Sequence, residues 1–291
     1  MKIALHGRPF KNDSIFFIQK IMDQLGAEQV ELLVYEPFFK HLRNKGLLTK
    51  ANTYRSPQDF PGADYLFSIG GDGTFLDAVT FSGKQQIPIV GINVGRLGFL
   101  ASVNEQNYAG LIQRIRKKEY RIEDRSLIRL ETESGLFGEM NFALNECTIT
   151  KRDSASMIIV HTYIDGEFLN SYWADGLIVA SPTGSTGYSL SCGGPVVLPL
   201  TQNFILTPIS PHNLNVRPLL VPNSSSLTFE IEGRSKNFLV SLDSRSETVR
   251  SGIKLVVKKE AFSAKLVKFD SDSFLNTLRL KLNWGLDVRN Y

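Results

Sequence analysis

Between Lys2 and about Leu100, apolar runs of strand length alternate with stretches in which apolar residues recur every three to four positions, the pattern of a sheet covered by helices. Residues 3–5 open a short strand. A helix follows, with Asn12 or Asp13 as its cap, Ile15, Ile18, Ile21, Met22 and Leu25 as its apolar stripe and Gly26 as its stop. Further strands are expected at 30–35, 65–69 and 87–92; the last two are apolar throughout, as strands buried on both faces are. Beyond a helix-compatible stretch at 108–118, the texture changes to β-branched residues alternating with polar ones, broken by turn signals. Hairpin turns are predicted at Ser134-Gly135, Asp165-Gly166, Gly233-Arg234 and Ser251-Gly252, between runs such as 157–164, 227–231 and 253–257. Helical spacing returns at 273–284, with Phe274, Leu278 and Leu282 on one face and Ser271 or Ser273 as cap.

The pattern therefore predicts an α/β domain with a mostly parallel sheet over 1–121 and a β-rich domain over 122–265. Residues 266–291 are expected to return to the first domain rather than extend a sheet. A length of 291 residues accommodates both domains with a sizeable core.

Composition narrows the function classes. Apolar residues make up 42% and charged residues 21%, ordinary globular usage. With 33 Lys and Arg against 29 Asp and Glu, the net charge of +4 is too small for a dedicated nucleic-acid or membrane-surface binder, yet favours small anions. Cys147 and Cys192 have no CxxC partner, so neither a disulfide framework nor a cysteine-rich zinc site is written here. Free thiols, no leader-like start and no long apolar run lead to the expectation of a cytoplasmic protein without a membrane partner. His6, His41, His161 and His212 lack metal-ligand spacing, and no protein metal site is expected.

The chemistry concentrates in three segments. Gly70-Gly71-Asp72-Gly73-Thr74 follows the strand at 65–69 and opens a helix-like run. A glycine turn at that junction lets backbone N–H groups reach phosphate oxygens, and the helix N-terminus adds partial positive charge. Asp72 is out of place in a passive cradle: a carboxylate there repels phosphate unless it binds a cation or takes a proton from an attacking hydroxyl. Read alone, the turn is equally an ordinary βα connection with Asp72 as a cap. Residues 91–100, GINVGRLGFL, place a second glycine-rich turn after the next strand, at the edge where open α/β sheets bind ligands. Neither turn matches the P-loop or the dinucleotide-Rossmann fingerprint. Residues 175–195, DGLIVASPTGSTGYSLSCGGP, gather hydroxyls and glycines that suit a sugar or an adenine edge, with Tyr188 available for stacking, or else form a surface loop. Asn145-Glu146 adds an amide and a carboxylate.

Taken in order, GGDGT at 70–74, GINVGRLGFL at 91–100, LNE at 144–146, the long segment at 175–195 and LTPISPH at 206–212 resemble the NAD kinase family over nearly the whole chain. GGDGT is shared with lipid and sugar kinases; the long segment is far more specific. The resemblance implies transfer of the γ-phosphate of ATP to the 2′-hydroxyl of the adenosine ribose of NAD, giving NADP. It implies Asp72 as general base or orienting carboxylate, and Gly70, Gly71, Gly73 and Thr74 as the phosphate-binding turn. Asn145 and Glu146 would hold the adenosine or its ribose, and Asp175 the ribose or nicotinamide portion, across a subunit interface if the chain forms the family's homodimers or homotetramers. Thr186, Gly187, Tyr188, Ser189, Leu190 and Ser191 would line the adenine pocket, with Arg245 of the Asp243-Ser244-Arg245 turn near the adenosine. Magnesium is implied with the donor nucleotide. The chain departs from the family at Gly187, where alanine is commoner, and at Trp173 and Ser156, where others carry basic residues; this leaves the choice between NAD and NADH open. The alternatives are a lipid or diacylglycerol kinase sharing the turn, and a sensor that binds NADP(H) without catalysis.

Overall fold

The structure, a computed structural model, describes residues 1–95, 98–152, 156–270 and 272–284. The chain divides into two compact units, residues 1–124 with 264–291, and residues 125–263.

In the first unit, β1 (Lys2–Gly7), α1 (Ile15–Ala27), β2 (Glu31–Tyr35), α2 (Glu36–Asn44), β3 (Asn52–Tyr54), β4 (Tyr65–Gly70), α3 (Asp72–Ser82), β5 (Ile89–Asn93) and α4 (Leu111–Arg116) follow one another. The strands β5-β4-β1-β2-β3 lie side by side and pair in parallel. β4 and β5 are buried almost throughout, as their unbroken apolar sequences require. Phe17, Ile18, Ile21, Met22 and Leu25 of α1 face the core with Ile3, Leu5, Phe67 and Val90.

Asn12 and Asp13 do not cap α1; they form a 3-10 turn with Ser14, which stands at the cap position with its hydroxyl donating to the Val94 carbonyl at 3.0 Å. Gly26 lies inside α1, and the next turn closes after Ala27. The helix expected at 108–118 is confined to Leu111–Arg116, starting after Gly110 in the left-handed conformation at φ 66°. α2 and β3 had no clear signal: α2 has Pro37 in its first turn and buries only Phe38 and Leu42.

The second unit holds most of β6 (Arg121–Glu131), then β7 (Phe142–Ala143), β8 (Glu146–Lys151), β9 (Ile158–Ile164), β10 (Glu167–Ala174), β11 (Gly176–Ala180), the short α5 (Tyr188–Ser191), β12 (Asn203–Ile209), β13 (Leu219–Pro222), β14 (Leu227–Gly233), β15 (Asn237–Leu242), β16 (Arg245–Arg250) and the start of β17 (Lys254–Lys268). One antiparallel array runs β10-β9-β14-β17 and a second runs β13-β12-β11-β8-β15-β16. Inward residues of both, such as Val160, Phe229 and Val257 from one and Ile149, Val179 and Phe204 from the other, form a single core. The opposite side of β11 and β12, with Ile178, Ala180 and Ile205, is packed by Cys192 and Val197.

Asp165-Gly166 is a hairpin turn as expected, joining β9 and β10. Ser134-Gly135 turns within a longer connection between the antiparallel β6 and β7. Gly233-Arg234 and Ser251-Gly252 are not hairpins: β14 and β17 belong to one array and β15 and β16 to the other, so both connections cross between arrays. The actual hairpin is β15–β16, turning at Asp243-Ser244.

The last residues of β17 lie in the first unit, where Leu266 pairs in parallel with Ile89 of β5, so this stretch does extend a sheet. α6 (Phe274–Leu282) follows, capped by Ser273, whose hydroxyl accepts the Asn276 N–H at 3.3 Å. The alternative cap, Ser271, lies outside the described residues. No helix among the described residues is long and apolar enough to cross a membrane.

Candidate active site

The first unit presents its chemistry at the C-terminal end of β4. Gly71 is the cap residue of α3, with no side chain capping it, and Asp72, Gly73 and Thr74 form the first turn. The leading N–H groups of a helix have no intrahelical partner, so this turn offers donors and a favourable dipole to an anion. A Cβ at Gly70 would come within 2.7 Å of the Cβ of Thr74, so internal packing accounts for that glycine. At Gly71 and Gly73 a Cβ would meet nothing within 4 Å. The described residues give no packing reason for glycine there.

The Asp72 carboxylate is held from the second glycine-rich turn. Oδ2 accepts the Phe99 N–H at 3.0 Å and Oδ1 the Leu100 N–H at 3.1 Å. Gly98 packs directly against the carboxylate, leaving no room for a side chain. Lys281, on α6, places Nζ 3.3 Å from Oδ2. Sequence reading expected the two glycine-rich turns to be neighbours, and the structure joins them through Asp72; it did not find Lys281, which lies 209 positions away. Arg96 and Leu97 of the second turn lie outside the described residues.

In the second unit, the residues Leu144, Asn145 and Glu146 lead into β8 and are fixed by one buried carboxylate. Asp243 accepts their backbone N–H groups at 2.8, 2.8 and 3.1 Å. Asp243 sits at φ 51°, a conformation that aspartate tolerates better than most residues. From the other side, the Ser181 hydroxyl donates to the Leu144 carbonyl at 2.5 Å and accepts the Gly184 N–H at 3.2 Å. Gly184 lies so close to the Asn145 backbone that no side chain fits between them.

The side chains displayed by this frame are unsatisfied. Asn145 Oδ1 and Glu146 Oε2 are buried and have no hydrogen-bond partner among the described residues. Burial and the neighbouring Asp243 push the Glu146 carboxyl up to about 8, against the Tyr188 backbone N–H, which favours the charged form. At neutral pH Glu146 is therefore mostly protonated and can both donate and accept. Burial raises Asp243 as well, opposed by its three N–H donors and by Arg245.

The segment at 181–195 covers this region with some of the expected residues and turns others inward. A Cβ at Gly187 would stand 3.0 Å from Glu146 Oε2 and 3.6 Å from Asn145 Nδ2, so Gly187 borders the unsatisfied pair. Tyr188 is 43% exposed, open to stack on a ligand. Thr186 donates to the Thr183 carbonyl at 3.4 Å, Leu190 is half-buried and Ser191 is exposed. Ser189 is fully buried, its hydroxyl 2.8 Å from that of Thr207, and serves the fold. Asp175 forms an ion pair with Lys151 at 2.6 Å. Arg245 directs its guanidinium to the Met140 and Phe142 carbonyls and to the Phe137 and Phe142 rings, which makes it a brace beneath the Asp243 turn. Ser156 and Trp173 line one cavity of about 840 Å³, together with Glu232 and Arg234. The turn at Asp243-Ser244-Arg245 is expected near the adenosine, and Ser181 lies within the 175–195 segment, but the part both play in framing residues 144–146 is visible only once the strands are assembled.

The ATP-NAD kinase N-terminal domain family matches residues 3–120, and the ATP-NAD kinase C-terminal domain family matches residues 144–269. The chain belongs to the NAD kinase family. It is 55% identical to an NAD kinase of Cytophaga hutchinsonii and 43% identical to one of Flavobacterium psychrophilum, each match covering all of both chains. Among solved structures, an Archaeoglobus fulgidus NAD kinase in complex with ATP is 27% identical, with a TM-score of 0.76, over 97% of this chain and 99% of that one. A yeast NADH kinase complexed with NADH shares the fold at a TM-score of 0.88 and 24% identity, over 100% of this chain and 90% of that one. NAD kinase membership makes the chain a phosphotransferase with an alcohol acceptor, and neither the lipid-kinase nor the sensor reading finds support.

Proposed function

We propose that the protein transfers the γ-phosphate of ATP to the 2′-hydroxyl of the adenosine ribose of NAD, producing NADP. Beyond family membership, the observation that carries this reading is the pair of buried, unpartnered acceptors, Asn145 Oδ1 and Glu146 Oε2. Buried polar atoms without partners are costly, and the hydroxyls and amine of an adenosine supply the missing hydrogen bonds. Asn145 and Glu146 hold the adenosine; Thr186, Gly187, Tyr188 and Ser191 border it; Asp175 takes the ribose or nicotinamide portion.

Gly70, Gly71, Gly73 and Thr74 form the turn that receives the donor phosphates. Asp72 orients the 2′-hydroxyl and takes its proton as the oxygen attacks the γ-phosphorus; the bond from phosphorus to the β,γ-bridging oxygen breaks, and ADP leaves with that electron pair. A positioned base contributes about 10²–10⁴-fold, and the remaining catalysis is positioning and charge stabilisation.

The described residues contain no cluster of three or more His, Cys, Asp or Glu side chains that would cage a metal, and Asp72 already accepts two N–H groups and faces an ammonium. The donor set thus fits magnesium that arrives on the triphosphate rather than a resident ion. When bound, that ion neutralises donor charge.

Exposed leucines on the edge strand β13, Leu219 and Leu220, support a homodimer or homotetramer. Cys147 and Cys192, both free, suit the cytoplasm. The direct test is NADP formation by the purified protein with NAD, ATP and magnesium; no product with ATP or polyphosphate would overturn the reading.

A further inference from the structure

Residues Phe274, Leu278 and Lys281 recur at positions i, i+4 and i+7 of α6 and so share one face. Leu278 is the buried residue of the helix. The Phe274 ring meets that of Phe99 at a tilt of 40°, with centroids 5.9 Å apart. Leu282 continues the apolar stripe, and Lys281 stands beside it at the edge of the same face. Its ammonium lies 4.6 Å from the Phe99 ring centroid and 3.3 Å from Asp72 Oδ2, the same oxygen that accepts the Phe99 N–H. Phe99 is thus held by α6 through its ring and by Asp72 through its backbone.

The turn at 70–74 contains no basic residue. Phosphoryl transfer requires positive charge beside the transferred group, supplied in other designs by a lysine or arginine close to the phosphate loop. Here the one carboxylate of the turn faces the donor phosphates unless a cation accompanies it, and Lys281 reaches it from the C-terminal helix.

We propose that Lys281 is a catalytic residue of the phosphoryl transfer: it pairs with Asp72 in the free enzyme and contacts the terminal phosphate of the bound triphosphate. This rests on the kinase reading given above. The 2′-hydroxyl proton passes to Asp72, the new O–P bond forms as the β,γ-bridging bond breaks, and the ammonium stabilises the charge on the non-bridging oxygens. Once triphosphate is bound, the ion pair with Asp72 loosens and frees a lone pair of Oδ2 for the hydroxyl.

Lys281→Met and Lys281→Arg, compared with wild type, test the assignment. Losing one charge-assisted contact to the transferring group should lower kcat for NADP formation by about 10²-fold and raise KM for ATP by about tenfold, with KM for NAD within about threefold. Lys281→Arg should restore most of both losses, and melting temperatures of all three proteins should agree within a few degrees. Values of kcat and KM for ATP within about twofold of wild type in Lys281→Met would overturn the proposal. So would parallel losses in KM for ATP, KM for NAD and melting temperature, which would assign Lys281 to the fold alone. Titration with a non-hydrolysable ATP analogue separates this proposal from the kinase reading. If wild type makes no NADP, the kinase reading fails, while binding of the analogue weakened about tenfold by Lys281→Met upholds the lysine–phosphate contact and unchanged binding overturns it.

Discussion

Asp243 Oδ1 accepts the backbone N–H groups of both Asn145 and Glu146, at 2.8 and 3.1 Å, across 98 and 97 positions of sequence. A side chain at the tip of the β15–β16 hairpin thereby sets the backbone that displays the unsatisfied pair. Asp243→Asn keeps a residue that accepts positive φ but replaces one acceptor oxygen with an amide donor. The variant should lose about 1–3 kcal/mol of stability and at least about tenfold in NAD affinity, measured by urea unfolding and NAD titration. Wild-type NAD binding in this variant would show that the frame is dispensable.

Glu146 links function to pH. Its carboxyl titrates at about 8 in the folded protein, against an ordinary value of 4.5. Between those values the folded chain keeps a proton that the unfolded chain has lost, so this group makes stability fall as pH rises from about 4.5 to about 8. Glu146→Gln cannot ionise and removes that slope. Relative to wild type, the variant should gain on the order of a few kcal/mol between pH 5 and pH 8, with unfolding free energies at the two pH values as the readout. A difference between the proteins that does not change with pH would refute the assigned protonation.

Gly73 offers a test in which folding and function move apart. A methyl group there meets no protein atom within 4 Å, and alanine in a helix costs less than glycine. Gly73→Ala should leave stability unchanged or raise it by up to about 1 kcal/mol, while displacing the donor phosphates and lowering turnover by about 10²-fold. Thermal melts and initial rates measured on the same preparation decide the matter. A variant that is both stable and fully active would remove the ligand from the explanation of this glycine.

Much of this architecture was legible because its signals are local. The apolar runs of β4 and β5 and the glycines that follow them mark buried parallel strands ending in a ligand-binding edge, periodicity locates α1 and α6, and the glycine turn at the end of β4 announces α3. The connections were harder. Gly233-Arg234 and Ser251-Gly252 have the composition of hairpin turns, yet the strands they join pair with other partners, and turn chemistry does not record which strands pair. The site divides in the same way. Asp72, Asn145 and Glu146 stand out because their neighbours form motifs. Lys281 and the brace role of Arg245 arise from side chains brought together over 209 and 105 positions, and no local pattern distinguishes either from an ordinary surface cation.

The central claim is that Asp72 activates the 2′-hydroxyl of NAD for attack on ATP. NADP formation by wild type and by Asp72→Asn, with NAD, ATP and magnesium, tests it most directly when paired with titration of NAD. The account predicts that wild type makes NADP and that Asp72→Asn loses about 10²–10⁴-fold in kcat while NAD affinity stays within a few-fold. An Asp72→Asn enzyme that retains most of its turnover would contradict it.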